Sequence, residues 1–163
     1  MSRDETPAVH TKRVDVEVED CGQVHFADQR YREAPDGSVN HPVGTIIRGG
    51  RGFITLRVAP QWGTVPFTVA VADRDPGADL EGYEDIVETS FESPSGQVFL
   101  MGWHIDWHEE KVCSLPSLPA GPGTYRLRYH VRGMDEERCL VDDHYLQIWP
   151  APQHDPVVLK SNE

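Results

Sequence analysis

The stretch TYRLRYHVR, residues 124–132, alternates apolar and polar side chains without interruption. Because successive side chains on a β-strand point to opposite faces of its sheet, this alternation predicts a strand with one face in a hydrophobic core. The inward-facing residues are Tyr125, Leu127, Tyr129 and Val131. The opposite face carries Arg126, Arg128, His130 and Arg132. We expect these four residues, the cationic stripe, to form an outward-facing basic surface. The alternative is that they pair with acidic side chains on neighbouring strands.

The same period of two recurs along the chain. It predicts further strands at residues 14–18, 52–58, 64–71, 86–91, 97–107 and 145–149. Between these runs stand most of the 14 Gly and 13 Pro residues, which favour turns. Helical spacing is compatible with only one or two turns, at residues 78–88. The chain is therefore predicted to be an all-β, single-domain antiparallel β-sandwich of about seven to nine strands.

Length and composition are consistent with one hydrophobic core, since 38% of the 163 residues are hydrophobic. Residues 1–12 are expected to form a flexible N-terminus, 13–150 the sandwich, and 151–163 an extended, Pro-rich C-terminal tail. The predicted core consists of Leu56, Val58, Phe67, Val69, Phe99, Met101, Trp103, Ile105, Leu127, Tyr129 and Ile148.

The overall charge limits the classes of partner. Fifteen Lys and Arg residues stand against 27 Asp and Glu, for a formal net charge of −12. This charge disfavours direct contact with a nucleic-acid backbone and favours a basic protein. No apolar run approaches the ~20 residues of a membrane span, and residues 1–15 contain no apolar leader stretch, so we expect a cytoplasmic protein. The three cysteines, Cys21, Cys113 and Cys139, lack the spacing of a disulfide framework or zinc ribbon, and the last two are expected to be buried.

Negative charge is concentrated in the middle third of the chain. Residues 61–110 contain eleven acidic residues and one basic residue, and thus carry −10 of the net −12. Because a merely solubilising surface would mix both signs, we interpret residues 73–92 as a recognition surface for a basic partner. The side chains expected to contribute most are Asp75, Asp79, Glu81, Glu84 and Asp85. Two alternatives stay open, a solvated loop and a calcium site that partly imitates an EF-hand loop.

Two other constellations could carry chemistry or ligand binding. His104, Asp106 and His108 recur at every second position of a predicted strand, so one face could hold zinc or another divalent metal and support a metal-dependent enzyme. The alternative is that this face simply meets solvent. Exposed tryptophans would serve a carbohydrate-binding module, and the candidates are Trp62, Trp107 and Trp149. No nucleophile elbow, phosphate-binding loop or dinucleotide fingerprint is present, so we expect no catalytic residue and no cofactor.

Several segments resemble a known family. TVPFTV at 64–69, LPAGPGTYRL at 118–127 and the acidic linker VDDH at 141–144 are similar to small bacterial β-sandwich proteins of the competence-associated nuclease-inhibitor type. The ending YLQIWPAP at 145–152 also resembles uncharacterised actinobacterial proteins of this size. The resemblance implies an acidic, non-enzymatic inhibitor or immunity-type protein that blocks a nuclease by binding it. It carries over no functional residue, and residues 72–92 are longer and more acidic than it implies.

The sequence thus favours binding over catalysis. We expect a non-enzymatic acidic protein that blocks a basic partner such as a nuclease, through the surface at residues 73–92. A small-ligand or carbohydrate-binding module is the first alternative, and a metal-dependent enzyme using the His104, Asp106 and His108 face is the second.

Overall fold

The computed structural model describes residues 8–19, 22–30, 41–43, 46–49, 52–102, 111–134 and 140–161. Within these residues the chain forms twelve β-strands and no α-helix. The strands are β1 (Val9–Val18), β2 (Gln23–Asp28), β3 (His41–Val43), β4 (Ile47–Gly49), β5 (Phe53–Arg57), β6 (Gly63–Ala72), β7 (Asp85–Ser93), β8 (Val98–Gly102), β9 (Cys113–Ser114), β10 (Gly123–Val131), β11 (His144–Pro150) and β12 (Val157–Lys160).

The strands form two six-stranded sheets, which confirms the predicted all-β sandwich. Sheet A has the order β1-β6-β11-β10-β7-β12, and sheet B has the order β3-β4-β5-β2-β8-β9. Pairing is antiparallel except between β11 and β6, which run parallel. The strand number exceeds the prediction of seven to nine mainly because β3, β4, β9 and β12 have only two to four residues. Such short segments cannot display a period of two.

The core between the sheets contains most of the predicted inward-facing residues. Val16, Ile54, Leu56, Phe67 and Leu127 are all at most 1% exposed, because alternation places them on the facing sides of the two sheets. A hydrogen bond also joins the sheets, since the Tyr129 hydroxyl donates to the Arg57 carbonyl oxygen at 2.7 Å.

One prediction about the core requires correction. Phe99 and Met101 are buried, but they belong to a separate cluster with Ala27, on the other face of sheet B from the main core. In β8 it is Val98 and Leu100 that enter the main core. Both faces of β8 are apolar, so alternation alone could not decide which face points inward. The other two core predictions in this stretch, Trp103 and Ile105, lie outside the described residues.

The sheets extend beyond the predicted limits of the sandwich. β1 pairs with β6 from Val9 onward, with Val9 opposite Ala72, and β12 pairs with β7 near the other end of the chain. Where helical turns were compatible with residues 78–88, the chain instead forms a loop that leads into β7 at Asp85. Among the described residues, no helix is long and apolar enough to cross a membrane.

Candidate functional site

The face of sheet A that points away from sheet B is covered by the acidic part of the chain. Residues 73–84, the acidic loop, connect β6 to β7, and their backbone and side chains bond to β10 and β11. The segment before β12 lies against the same face, where the His154 and Asp155 carbonyl oxygens accept hydrogen bonds from Arg126. The cationic stripe therefore lies mostly beneath other residues: Arg126, Arg128 and His130 are at most 4% exposed, and Arg132 is partly exposed. The stripe therefore faces away from the core as predicted, but it is covered rather than exposed to solvent.

Arg128 is the centre of the contacts beneath the acidic loop. Its Nε donates to Glu88 Oε2 at 2.9 Å, and its Nη1 and Nη2 donate to the two carboxylate oxygens of Asp75 at 2.9 and 3.1 Å. Nη1 also donates to Gln147 Oε1 at 2.7 Å, and the guanidinium lies 4.6 Å from the centre of the Trp149 ring. Buried cations are tolerated only with such compensation, so the structure has the alternative arrangement, in which the stripe pairs with acidic residues across strands.

Glu88 pairs with two arginines. Arg128 lies directly opposite Glu88 in the β10–β7 register, and Arg126 Nε donates to Glu88 Oε1 at 2.8 Å. The side chain of Glu88 is only 14% exposed, and those of both arginines are 5% exposed. Glu88 therefore compensates part of the charge of the two buried arginines, and its own charge contributes little to the electric field in solvent.

The acidic loop is fastened at several further points. Asp79 N donates to His130 Nε2 at 3.2 Å, and Arg132 Nη1 donates to the Gly82 carbonyl oxygen at 3.1 Å. Gln147 Nε2 donates to the Gly77 carbonyl oxygen at 2.7 Å. The loop conformation is thus fixed by side chains of β10 and β11 rather than by the loop alone.

Two glycines allow the local turns of the loop. Gly77 has φ of +91°, a region that L-residues rarely adopt, and its N–H donates to Asp75 Oδ1 at 2.8 Å. Gly82 N donates to Asp79 Oδ1 at 3.0 Å, and a Cβ at residue 82 would collide with the carboxylate of Asp79. The carboxylates of Asp75 and Asp79 therefore shape the loop as well as charge it.

The five predicted partner-binding residues fall into two groups. The Asp75 side chain is 51% exposed, but both of its carboxylate oxygens bond Arg128, and Asp85 is buried. Asp79, Glu81 and Glu84 are exposed, although Glu84 Oε1 accepts a hydrogen bond from Gly133 N at 3.0 Å. The alternation of apolar and polar residues cannot distinguish these two groups, because Arg128, the side-chain partner of Asp75, lies on a strand that is distant in the sequence.

Burial and pairing shift the protonation equilibria of this site in opposite directions. The hydrogen bond from Arg128 lowers the pKa of Asp75 below its ordinary value. Burial lowers the pKa of Arg128, but hydrogen bonds and charges of Asp75 and Glu88 outweigh burial and leave it raised. Burial lowers the pKa of His130 to about 4, so this imidazole is neutral at pH 7. Its Nε2 accepts the Asp79 N–H, and its Nδ1 lies 3.3 Å from the Tyr145 carbonyl oxygen, which assigns the proton to Nδ1.

The metal alternatives receive no geometric support from the described residues. His104, Asp106 and His108 lie outside them. In the segment considered for calcium, Asp73, Asp75 and Asp79 accept from three separate protein donors, Ala8 N, Arg128 and Gly82 N. No group of three or more His, Cys, Asp or Glu residues in the described part of the chain is arranged to hold a metal.

The tryptophan and cysteine candidates have different environments. Trp149 is buried under Arg128, so it cannot serve as a sugar platform, whereas Trp62 is 63% exposed and Trp107 lies outside the described residues. Cys113 is a free, half-buried thiol whose pKa is raised by burial, as for a structural cysteine. Cys21 and Cys139 lie outside the described residues.

Two solved structures share this architecture. One is ComJ, an inhibitor of the DNA degrading activity of NucA, from Bacillus subtilis: it has a TM-score of 0.62 and 12% identity, over 88% of this chain and 99% of that chain. The fold is ComJ-like. The other, described as Crocagin biosynthetic gene J, has a TM-score of 0.60 and 12% identity, over 89% of this chain and 99% of that chain. No protein-family model matches the sequence, and no similar sequence is found among curated proteins. The resemblance to competence-associated nuclease inhibitors is thus confirmed for the fold.

Proposed function

We propose that this protein is a non-enzymatic acidic binding protein that inhibits a basic partner, with a nuclease as the favoured class. The observation that carries the proposal is the acidic loop, which is held in one conformation while it exposes the carboxylates of Asp79, Glu81 and Glu84. A loop that is already ordered loses less conformational entropy on binding than a flexible one. The unfavourable entropy contribution to the free energy of binding is therefore smaller.

The distribution of paired and unpaired carboxylates supports this role. Arg126 and Arg128 are compensated by Glu88 and Asp75, and Arg132 Nε bonds Asp143 Oδ1 at 2.9 Å. The cations under the loop are therefore matched by carboxylates other than Asp79, Glu81 and Glu84. These three residues remain to attract a basic surface, and such attraction mainly raises the rate of association.

The fold likeness adds support at a coarser level. ComJ inhibits the DNA degrading activity of NucA, and the present chain shares its architecture over most of both lengths. A fold can host unrelated functions, so the proposal depends on the acidic loop and takes the nuclease as partner class from the likeness.

The test is inhibition of nuclease activity together with the rate of association. The purified protein would be titrated into a panel of purified basic nucleases, with degradation of a fluorescent DNA duplex as the readout. We expect at least one nuclease to be inhibited with saturation near equimolar protein. The variant Asp79→Asn/Glu81→Gln/Glu84→Gln should associate with it at least about tenfold more slowly at low salt, and this difference should shrink at high salt.

A charge-matched control separates the effect of the loop's own charges on the association rate from the effect of the net charge. Asp15→Asn/Glu19→Gln/Asp155→Asn removes the same number of charges from exposed positions outside the loop. It should retain the association rate of the wild type within about twofold. Equal slowing by both triple variants would show that net charge, not this loop, attracts the partner. Absence of inhibition across the panel would contradict the proposed function.

A further inference from the structure

An open groove of about 560 Å³ runs beside the acidic loop. The loop lines it with residues 76–79, and the start of β1 lines it with Val9 and Thr11. Tyr145 and Gln147 of β11 and Thr68 of β6 also line it, so the rigid sheet contributes part of the groove. The groove is therefore built by four separate segments that the fold brings together, and none of the sequence patterns predicts it.

The groove holds two carboxylates, Asp79 and Asp142. Asp142 is fixed by Thr68, whose hydroxyl donates to Asp142 Oδ1 at 2.8 Å, and by Tyr83, whose hydroxyl donates to the Asp142 carbonyl oxygen at 2.6 Å. Asp79 is fixed by its bond from Gly82 N. Oδ2 of each carboxylate accepts no hydrogen bond from the described residues, so two acceptor atoms remain available.

Aromatic and aliphatic groups accompany these acceptors. The rings of Tyr83 and Tyr145 stack at 5.9 Å between centroids, and both line the groove with Pro76 and Val9. Arg132 lies 5.3 Å from the centre of the Tyr83 ring, but its charge is matched by Asp143. The combination of carboxylate oxygens with apolar walls suits a side chain that has an apolar stem and a cationic, planar end.

One guanidinium already lies at the edge of this groove. Arg13 Nη2 is 3.4 Å from Asp142 Oδ1, and the side chains of Arg13 and Asp142 are 64% and 43% exposed. A pair this exposed and this long is weak, so the Arg13 side chain can be displaced. The contact also demonstrates that a guanidinium reaches Asp142 from the solvent side.

We propose that this groove binds an arginine side chain of the basic partner, with Asp79 and Asp142 as acceptors for the guanidinium and Tyr145 and Pro76 against its aliphatic stem. This inference rests on the proposed function and adds to it the site and the chemistry of the contact. Arginine is favoured over lysine because its planar fork of donors can bond two fixed carboxylates at once.

The test uses a peptide probe and needs no identified partner. The tripeptide acetyl-Gly-Arg-Gly-amide would be titrated into the ¹⁵N-labelled full chain, followed by amide chemical shifts. We expect saturable shifts at residues 77–79 and 142–147, with a millimolar dissociation constant. The same peptide with citrulline, the neutral isostere of arginine, should cause no saturable shift there, because the attraction to the carboxylates is lost.

Variants then assign the binding to the two carboxylates. Asp142→Asn should weaken binding at least about fivefold while preserving the fold, because Asn tolerates the φ of +76° at this position and can still accept from Thr68. Asp79→Asn should weaken it similarly. Arg13→Gln should tighten binding about twofold, since it removes the competing guanidinium. The matched control is Glu19→Gln, beyond the opposite end of the ten-residue strand β1, which should leave binding unchanged.

Each outcome either supports or overturns the groove. Equal shifts with the arginine and citrulline peptides would overturn it, and so would equal weakening by Glu19→Gln and Asp142→Asn. Absence of any shift in the folded wild-type protein would overturn it as well. If a nuclease is inhibited but the peptide does not bind, the groove is excluded and the proposed function stands. If the peptide binds but no nuclease is inhibited, the groove stands and the proposed function fails.

Discussion

β10 buries both of its faces, but it does so against two chemically different regions. The inner face places Tyr125, Leu127 and Val131 in the apolar core between the sheets. The outer face places Arg126, Arg128 and His130 under the acidic loop and the segment before β12. The inner face is stabilised by removal of apolar area from water, whereas the outer face requires a specific acceptor for each buried donor.

This difference shows that a buried side chain in this protein can be either apolar or charged. Apolar side chains can be buried against any apolar neighbour, so the inner face tolerates imprecision in its partners. The outer face depends on Glu88 and Asp75 at defined distances from Arg128, and loss of one group leaves another without compensation. The two faces should therefore respond differently to substitution.

The largest effect is expected on the inner face. Leu127→Ala should lower the free energy of unfolding by about 3 kcal/mol, because Leu127 is fully buried and the surrounding sheets cannot close the cavity. Urea unfolding followed by tryptophan fluorescence measures this change. The control Leu80→Ala, at a side chain that is 51% exposed, should change stability by less than about 0.5 kcal/mol. Similar losses for both variants would show that the inner face is not the main apolar core.

The outer face should follow with a somewhat smaller effect. Arg128→Met should lower the free energy of unfolding by about 2 kcal/mol, because the largely buried Glu88 Oε2 and Gln147 Oε1 each lose a donor and the half-exposed Asp75 loses its bond to the sheet. Amide hydrogen exchange should also accelerate in the acidic loop more than in β10. The exposed Arg13→Met is the control, with a loss below about 0.5 kcal/mol. If Arg128→Met were neutral, the stripe would not fasten the loop.

Acid should weaken the outer face through His130. Burial lowers the pKa of His130 from 6.5 to about 4, so the unfolded chain binds a proton below pH 6.5 that the folded chain does not bind until about pH 4. The free energy of unfolding should therefore fall as pH is lowered across this range, with a contribution of at most about 1.4 kcal/mol per pH unit from this residue. His130→Gln should have a shallower pH dependence than the wild type, measured by urea unfolding at several pH values. An unchanged slope in His130→Gln would contradict the role of His130.

The smallest effect is expected at the exposed surface of the loop. Glu81→Gln should change the free energy of unfolding by less than about 0.5 kcal/mol, since Glu81 is exposed and makes no hydrogen bond or ion pair to the described residues. Glu88→Gln, which removes the charge of a partner of two arginines, should lower stability clearly more. Thermal unfolding of both variants measures this difference. Equal stability of the two variants would show that paired and surface carboxylates contribute equally to the free energy of unfolding.

Prediction from sequence succeeded where a local pattern has a local cause. Val14, Val16 and Val18 alternate with charged residues, and all three enter the core as expected. It failed in β8, where Phe99 and Leu100 are equally apolar and the register between sheets decides which one faces inward. Short strands such as β9 were missed because two residues carry no period.

The candidate site was predictable only in part. The concentration of carboxylates at residues 73–92 identified the acidic loop, and Asp79, Glu81 and Glu84 are exposed there. Charge counting could not reveal that Asp75 bonds Arg128, 53 residues away, or that Asp85 is buried. It also gave no reason to select Asp142, which reaches the groove because the turn before β11 adopts a positive φ.

The sequence by itself determined the all-β class, the inner face of most long strands and the location of the negative charge, because each depends on residues close together in the chain. Only the tertiary structure decided that the cationic stripe is covered, which carboxylates neutralise it and which remain exposed. The physical reason is that a charged side chain is stable in the interior only beside a compensating group, and β7, the acidic loop and the tail reach β10 from distant parts of the sequence.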